Sequence, residues 1–188
     1  MKVVRALWIF VLLFSISPAS KAEKLSLETD LIVPVLAKGS HLHLKRSNTF
    51  FDNFTLGISL ATMTLRDWII DTMPEAKGKD WHVDIIGTEF TFDYYFSDPN
   101  SGLFIGPVLA LSQLNLHRHG STSIAYEFQT GFRFGYLWRP WNSAFYFMPW
   151  GAAGVRGSLG GDFDVEGEAF PTGSPLGIVG SANIGYTF

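Results

Sequence analysis

From Ile124 to Trp138 the chain alternates without interruption. Ile124, Tyr126, Phe128, Phe132, Phe134, Tyr136 and Trp138 fill the even positions together with Thr130, while Ala125, Glu127, Gln129, Gly131, Arg133, Gly135 and Leu137 fill the odd ones. A period of two sustained this long predicts a β-strand with one large apolar face and one small or polar face. The same pattern recurs along the chain. Over 82–96, Ile86, Phe90, Phe92, Tyr94 and Phe96 oppose Gly87, Glu89, Thr91 and Asp93. Over 53–64, Phe54, Leu56, Ile58 and Leu60 oppose Thr55, Gly57, Ser59 and Ala61. Over 176–188, Leu176, Ile178, Ile184, Tyr186 and Phe188 oppose Gly177, Ser181, Asn183, Gly185 and Thr187. Strands are also expected over 25–33, 41–46, 103–116 and 144–157, which brings the number to eight.

Turn residues separate the strands at Ser47-Asn48, at Ser97-Asp98-Pro99-Asn100-Ser101-Gly102 and at Arg139-Pro140-Trp141-Asn142. These connections are short. At the other end, 117–122 is also short, but 65–81 and 158–175 are longer. Short turns at one end and longer loops at the other is the pattern of an antiparallel up-and-down transmembrane barrel. Three prolines, Pro34, Pro107 and Pro149, fall in or beside strands, where they remove a ladder donor, and local bulges are expected there. A further bulge is expected near Ser112-Gln113, where the apolar face of 103–116 changes parity.

Size orients the faces. An eight-stranded barrel has an interior that side chains just fill. Rows of Phe, Tyr and Trp do not fit together there, whereas Gly, Ala, Ser and single polar residues do. The aromatic face therefore points out, against the alternative of a secreted lipocalin-like barrel with an apolar interior. Phe50, Phe51, Tyr94, Phe96, Tyr136, Trp138, Trp141, Tyr186 and Phe188 gather near the short turns, as a girdle at a membrane interface would.

Composition agrees with this orientation. Only 16% of residues are charged against 47% hydrophobic and 15% aromatic, below the roughly 25% charge of an ordinary soluble domain. No Cys is present, which excludes thiol catalysis, disulfide scaffolds and cysteine-ligated zinc, and no basic block points to nucleic acid. At the N-terminus, Lys2 and Arg5 precede an apolar run from Ala6 to Ser17 and the small-residue stretch Pro18-Ala19-Ser20-Lys21-Ala22. Residues 1–22 thus have the form of a cleaved secretory signal peptide, leaving 23–188 as one barrel domain. Its apolar core is shorter than the roughly 20 residues of a spanning helix. Cleavage would remove three bases and no acid, moving the net charge from −3 to −6.

With this leader, these strands and the ending Ile184-Gly185-Tyr186-Thr187-Phe188, the chain resembles small outer-membrane barrels of the OmpA/OmpX/OmpW kind. The terminal alternation of Ile184, Tyr186 and Phe188 resembles the signal read by the barrel-assembly machinery. The resemblance implies a bacterial outer-membrane location reached through the periplasm, with outer-membrane lipid and lipopolysaccharide as surroundings. It leaves activity and oligomeric state open, because such barrels serve structural, adhesive, transport and enzymatic roles.

The inward face collects charge: Glu28, Asp30, His41, His43, Lys45, Glu89, Asp93, Glu127, Arg133 and Arg156. Buried charges cost several kcal/mol each unless paired, so a salt-bridged plug is expected rather than a conduit. His41 and His43 share a face and read as network members rather than metal ligands. Asp162-Phe163-Asp164-Val165-Glu166-Gly167 opens like a calcium loop, but its twelfth position is Gly173 where a bidentate Glu is required. It reads as a solvated acidic loop, and no cofactor or metal is expected. His119 and Ser121 match the His-x-Ser spacing of PagL-type lipid A deacylases, with Glu127 as the candidate acid. The resemblance makes a lipid A-modifying hydrolase the enzymatic alternative. The pair falls on a hairpin tip, whereas that family's lies on a strand. A non-enzymatic structural or loop-presenting role is preferred, and a narrow OmpW-like channel for small or apolar solutes is the third reading.

Overall fold

The computed structural model describes residues 24–47, 52–98, 101–172 and 175–188. The proposed leader lies outside the described residues, as do Asn48, Phe50, Phe51, Pro99, Asn100 and Gly173. Eight strands form the wall: β1 (Leu25–Asp30), β2 (Ala37–Ser47), β3 (Phe54–Leu65), β4 (His82–Tyr95), β5 (Gly102–Arg118), β6 (Ser121–Leu137), β7 (Phe145–Gly161) and β10 (Leu176–Thr187). Each pairs antiparallel with its neighbour in sequence, and β10 pairs with β1 to close the barrel. A two-stranded ribbon, β8 (Asp164–Val165) and β9 (Glu168–Ala169), rises from the last loop. Two one-turn helices, α1 (Val33–Leu36) and α2 (Asp67–Ile70), sit in the first two connections at the same end.

Register carries the alternation around the wall. Lys45 lies opposite Gly57, Gly57 opposite Thr91, Thr91 opposite Val108 and Val108 opposite Gly131, an inward row of small residues around one long side chain. On the outside, Phe132, Phe134, Trp138 and Phe145 are each more than half exposed, while Arg133 between them is 0% exposed.

The prolines act differently from the expected bulges. Strand β1 stops at Asp30, short of residue 33, and Pro34 enters the first turn of α1, where its fixed φ and missing N–H cost nothing. At Pro107 and Pro149 the register runs straight through on one side, opposite Phe132 and Ala182. On the other side bridges are missing, between Thr91/Val108 and Tyr94/Ile105 and beyond Gly135/Trp150, without a shift in register. Each proline thus interrupts one ladder and leaves the other intact. No bulge forms at Ser112-Gln113 either, since β5 keeps one register from end to end. Leu114 and Leu116 stay on the inward face and are buried because the loops cover them. The register shift that does occur lies between Tyr126 and Glu127, against the stretch Ser158–Gly160 of β7.

That covering is a second apolar core. Ile70, Ala76, Trp81, Val83, Leu114, Leu116, Ala125, Val165 and Phe170 are all buried together at the long-loop end. The loop after α2 and the β8–β9 ribbon therefore fold down as a cap. Trp81 meets Phe170 edge-on at 5.2 Å, Arg118 stacks over Trp81, and Lys79 pairs with Glu168 at 2.9 Å. The acidic stretch from Asp162 is likewise tied into structure. Asp162 accepts from the backbone N–H of Asp164, and Asp164 from that of Gly167.

Candidate functional site

Below the cap, the lumen holds a chain of paired charges with a second cluster beside it. Glu28, on β1, accepts from Tyr146 Oη at 2.6 Å, from Asn183 Nδ2 at 2.9 Å and from Lys45 Nζ at 2.9 Å. Lys45 also reaches Asp93 Oδ2 at 3.5 Å. Asp93 takes two hydrogen bonds from Arg133, one from Nε at 2.7 Å and one from a terminal nitrogen, and the other terminal nitrogen lies 3.7 Å from Glu89 Oε1. Beside this chain, Asp30 Oδ2 accepts from Ser181 Oγ at 2.6 Å and lies 3.9 Å from His41 Nδ1. His41 Nε2 shares a hydrogen bond with Ser59 Oγ at 2.8 Å, and His43 Nε2 lies 3.3 Å from His41 Nδ1. Both ring nitrogens of His41 are thus spent on these neighbours. Charges removed from water need this density of partners, because an unpaired ion in low dielectric costs several kcal/mol.

Eight of the ten charged or histidine positions read from the sequence meet in this chain and cluster. Glu127 and Arg156 do not. They line a separate small cavity nearer the loops with Ser158, Thr172 and Pro175.

The sequence reading missed a layer beneath the network, at the short-turn end. Tyr95, Phe104, Leu137, Tyr146 and Met148 form a buried cluster inside the barrel, with Trp150 packed against it. Large aromatics were expected only outside. They fit inside because glycines lie opposite them. Phe104 is in register with Gly135 and Tyr146 with Gly185. A Cβ at Gly135 would lie 2.6 Å from Phe104 Cζ, and one at Gly185 would lie 2.7 Å from Tyr146 Cε2. Each ring therefore occupies the volume its cross-strand neighbour gives up. The guanidinium of Arg133 sits 5.4 Å and Lys45 Nζ 5.9 Å from the centre of the Phe104 ring, so Phe104 is also a cation–π floor for these two charges. The signal for this layer was Gly135 and Gly185 on the inward faces of β6 and β10, which becomes informative only once the register is known.

The serine-nucleophile candidates lie elsewhere. His119 and Ser121 sit at the β5–β6 hairpin tip, with His119 and Gly120 as its two turn residues at positive φ. Ser121 Oγ donates to Glu166 Oε1 at 2.5 Å, and His119 Nδ1 lies 3.6 Å from Glu166 Oε2. Glu127 is six residues further along β6, roughly 20 Å away at strand rise. The set His119, Ser121, Glu127 is thus not assembled. The acid present is Glu166, and it takes the serine proton's hydrogen bond that a histidine base would need.

No family model matches the sequence, and no curated protein is similar to it. Among solved structures, a major outer membrane protein from Thermus thermophilus is similar at a TM-score of 0.51 and 12% identity, over 89% of this chain and 100% of that one. At that identity the likeness is one of fold: a closed, eight-stranded, antiparallel barrel.

Proposed function

We propose that the protein is an integral barrel of a bacterial outer membrane, non-enzymatic and non-conducting, which supports the envelope and presents its capped loops to the outside. The observation that carries this reading is the filled cross-section at the short-turn end. Tyr95, Phe104, Leu137, Tyr146 and Met148, each 4% exposed or less, lie under the Glu28–Lys45–Asp93–Arg133 network. Aqueous passage would have to break both layers. The membrane setting is supported by outward aromatics such as Phe132, Phe134, Trp138 and Phe145, each more than half exposed, a larger apolar surface than soluble proteins leave to water. The export route through a cleaved leader and assembly through Ile184, Tyr186 and Phe188 belong to the same proposal.

The test is conductance across planar lipid bilayers, together with density fractionation of cell envelopes. The expected results are fractionation with the outer membrane and a silent bilayer. Stepwise conductance of the intact wild-type protein would overturn the sealed lumen, and fractionation with soluble protein would overturn the location.

A further inference from the structure

The wall is incomplete beside β1. Pairing of β1 with β2 ends at Thr29–Leu42, and pairing with β10 ends at Asp30–Asn183. Both neighbours continue upward: Ala37–His41 of β2 pairs in the ladder only with β3, and above the last backbone bond from Leu31 N–H to Ala182 O, Leu176–Ser181 of β10 pairs only with β7, among the described residues. The space between them is occupied by residues 31–36, including α1. Behind α1 lies a cavity of about 330 Å³ between the charge network and the cap. Its walls are largely apolar, with Ile32, Val33 and Leu36 on the α1 side and Met63, Val108 and Val179 around it. Val179 lines this cavity and is 42% exposed, on the β10 edge that β1 leaves unpaired.

Polar groups concentrate on the floor. Asp30, His41, Glu89, Gln129 and Ser181 line it, whereas Arg133 and Lys45 lie below, held by Asp93 and Glu28. Oε1 of Glu89 is buried and makes no hydrogen bond among the described residues, and Arg133 stands 3.7 Å below it, beyond hydrogen-bond reach. Pockets of roughly 300–1,000 Å³ with apolar walls and a few convergent polar groups are the usual form of a ligand site. At the small end of that range there is room for one chain and not two. Asp30 links the site to its cover: Oδ1 accepts from the backbone N–H of Ile32 at 2.7 Å and of Val33 at 2.8 Å, while Oδ2 accepts from Ser181 on β10.

We propose that the upper lumen binds a single-chain amphiphile, its alkyl tail along the apolar walls and a hydrogen-bond-donating head, such as a primary amine, on Glu89 and Asp30, entering sideways past α1. The side entry rests on the membrane location proposed above.

The test uses protein folded into lipid nanodiscs, with folding checked by the shift in gel mobility on boiling. Two reporters retain one tryptophan each, Trp150 beside the cavity or Trp138 on the outer face, the others being Phe. The probe is 10-bromodecylamine, whose bromine quenches indole on contact. Saturable quenching of Trp150 is expected, at least tenfold weaker with 10-bromodecanoate and abolished by Ala110→Phe, which fills the cavity. Linear quenching of both tryptophans, or saturable quenching that survives Ala110→Phe, would overturn the site. Equal quenching by the two probes would overturn the head assignment. Asp30→Ala frees α1 and should speed the onset several-fold; an unchanged onset would overturn side entry. A chain that shows no gel shift and no nanodisc incorporation would fail the membrane reading itself, separately from the cavity.

Discussion

Arg133 and Asp93, 40 residues apart in sequence, meet face to face in the lumen, the guanidinium donating to both carboxylate oxygens. Both are fully buried, and Lys45 approaches the same carboxylate from the other side. Such a pair is costly to break from one side, because the remaining charge stays buried without a partner.

Arg133→Ala should therefore lower stability by about 3–5 kcal/mol, the range for orphaning one member of a buried pair. The urea midpoint of unfolding in micelles measures it. Replacing both partners together, Arg133→Met with Asp93→Leu, should cost less than Arg133→Ala alone. An unchanged midpoint for the single variant would remove the network from the account of stability.

The ring-over-glycine packing makes a coupled prediction. Gly185→Ala places a methyl against the Tyr146 ring and should cost about 1–3 kcal/mol, as overpacking does. In a Tyr146→Ala background the same substitution should cost almost nothing. A double-mutant cycle of unfolding free energies reads the coupling, and independent costs would mean that the ring does not occupy that space.

Ser121 is expected to play no part in lipid chemistry. Its hydroxyl is given to Glu166, and the imidazole of His119 faces the same carboxylate rather than the serine. Mass spectrometry of lipid A from cells expressing wild-type protein, Ser121→Ala or no protein should give the same acylation pattern. Loss of an acyl chain that depends on Ser121 would restore the hydrolase reading.

The cap should loosen in acid. The hydrogen bond and charge of Lys79 hold the Glu168 carboxyl below its usual 4.5. A depressed acid contributes stability above its unfolded value and loses it as pH falls through the folded one. Proteolytic nicking of the loop at 66–81 should therefore rise below about pH 4.5. Lys79→Met should show the faster nicking already at neutral pH, with the acid-dependent rise reduced. A pH-independent rate in the wild type would contradict this role for the pair.

The architecture was legible because alternation is a local property. Phe132, Arg133 and Phe134 declare their faces with no knowledge of any neighbour strand. The inward charges were legible for the same reason, including the early ones on β1 and β2. Two features depended on register instead. Phe104 and Tyr146 could be placed inside only by knowing that Gly135 and Gly185 stand opposite them. A size rule applied to one side chain at a time excludes them. Likewise, the change of parity near Ser112 looked like a bulge because Leu114 and Leu116 were read as needing lipid. They need only an apolar cover, which Trp81 and Phe170 provide from the loops beside Val83 on the neighbouring strand. Bulges are not needed at Pro107 and Pro149, because a strand can lose one bridge on one side and keep its register.

The central claim is that the two faces of each strand meet different surroundings, lipid outside and a packed polar lumen inside. The chain contains no native cysteine, so single-cysteine spin labels can be placed along β6 from Glu127 to Leu137, leaving out Gly131, Arg133 and Gly135, whose surroundings admit no added side chain or need the native one. In lipid bilayers, labels at the even positions Phe132, Phe134 and Tyr136 should be relaxed strongly by oxygen and weakly by a water-soluble nickel reagent. Labels at Glu127, Gln129 and Leu137 should be immobilised and relaxed weakly by both. Oxygen accessibility should thus oscillate with a period of two along the strand. A flat profile, or the maxima at the odd positions, would contradict the account.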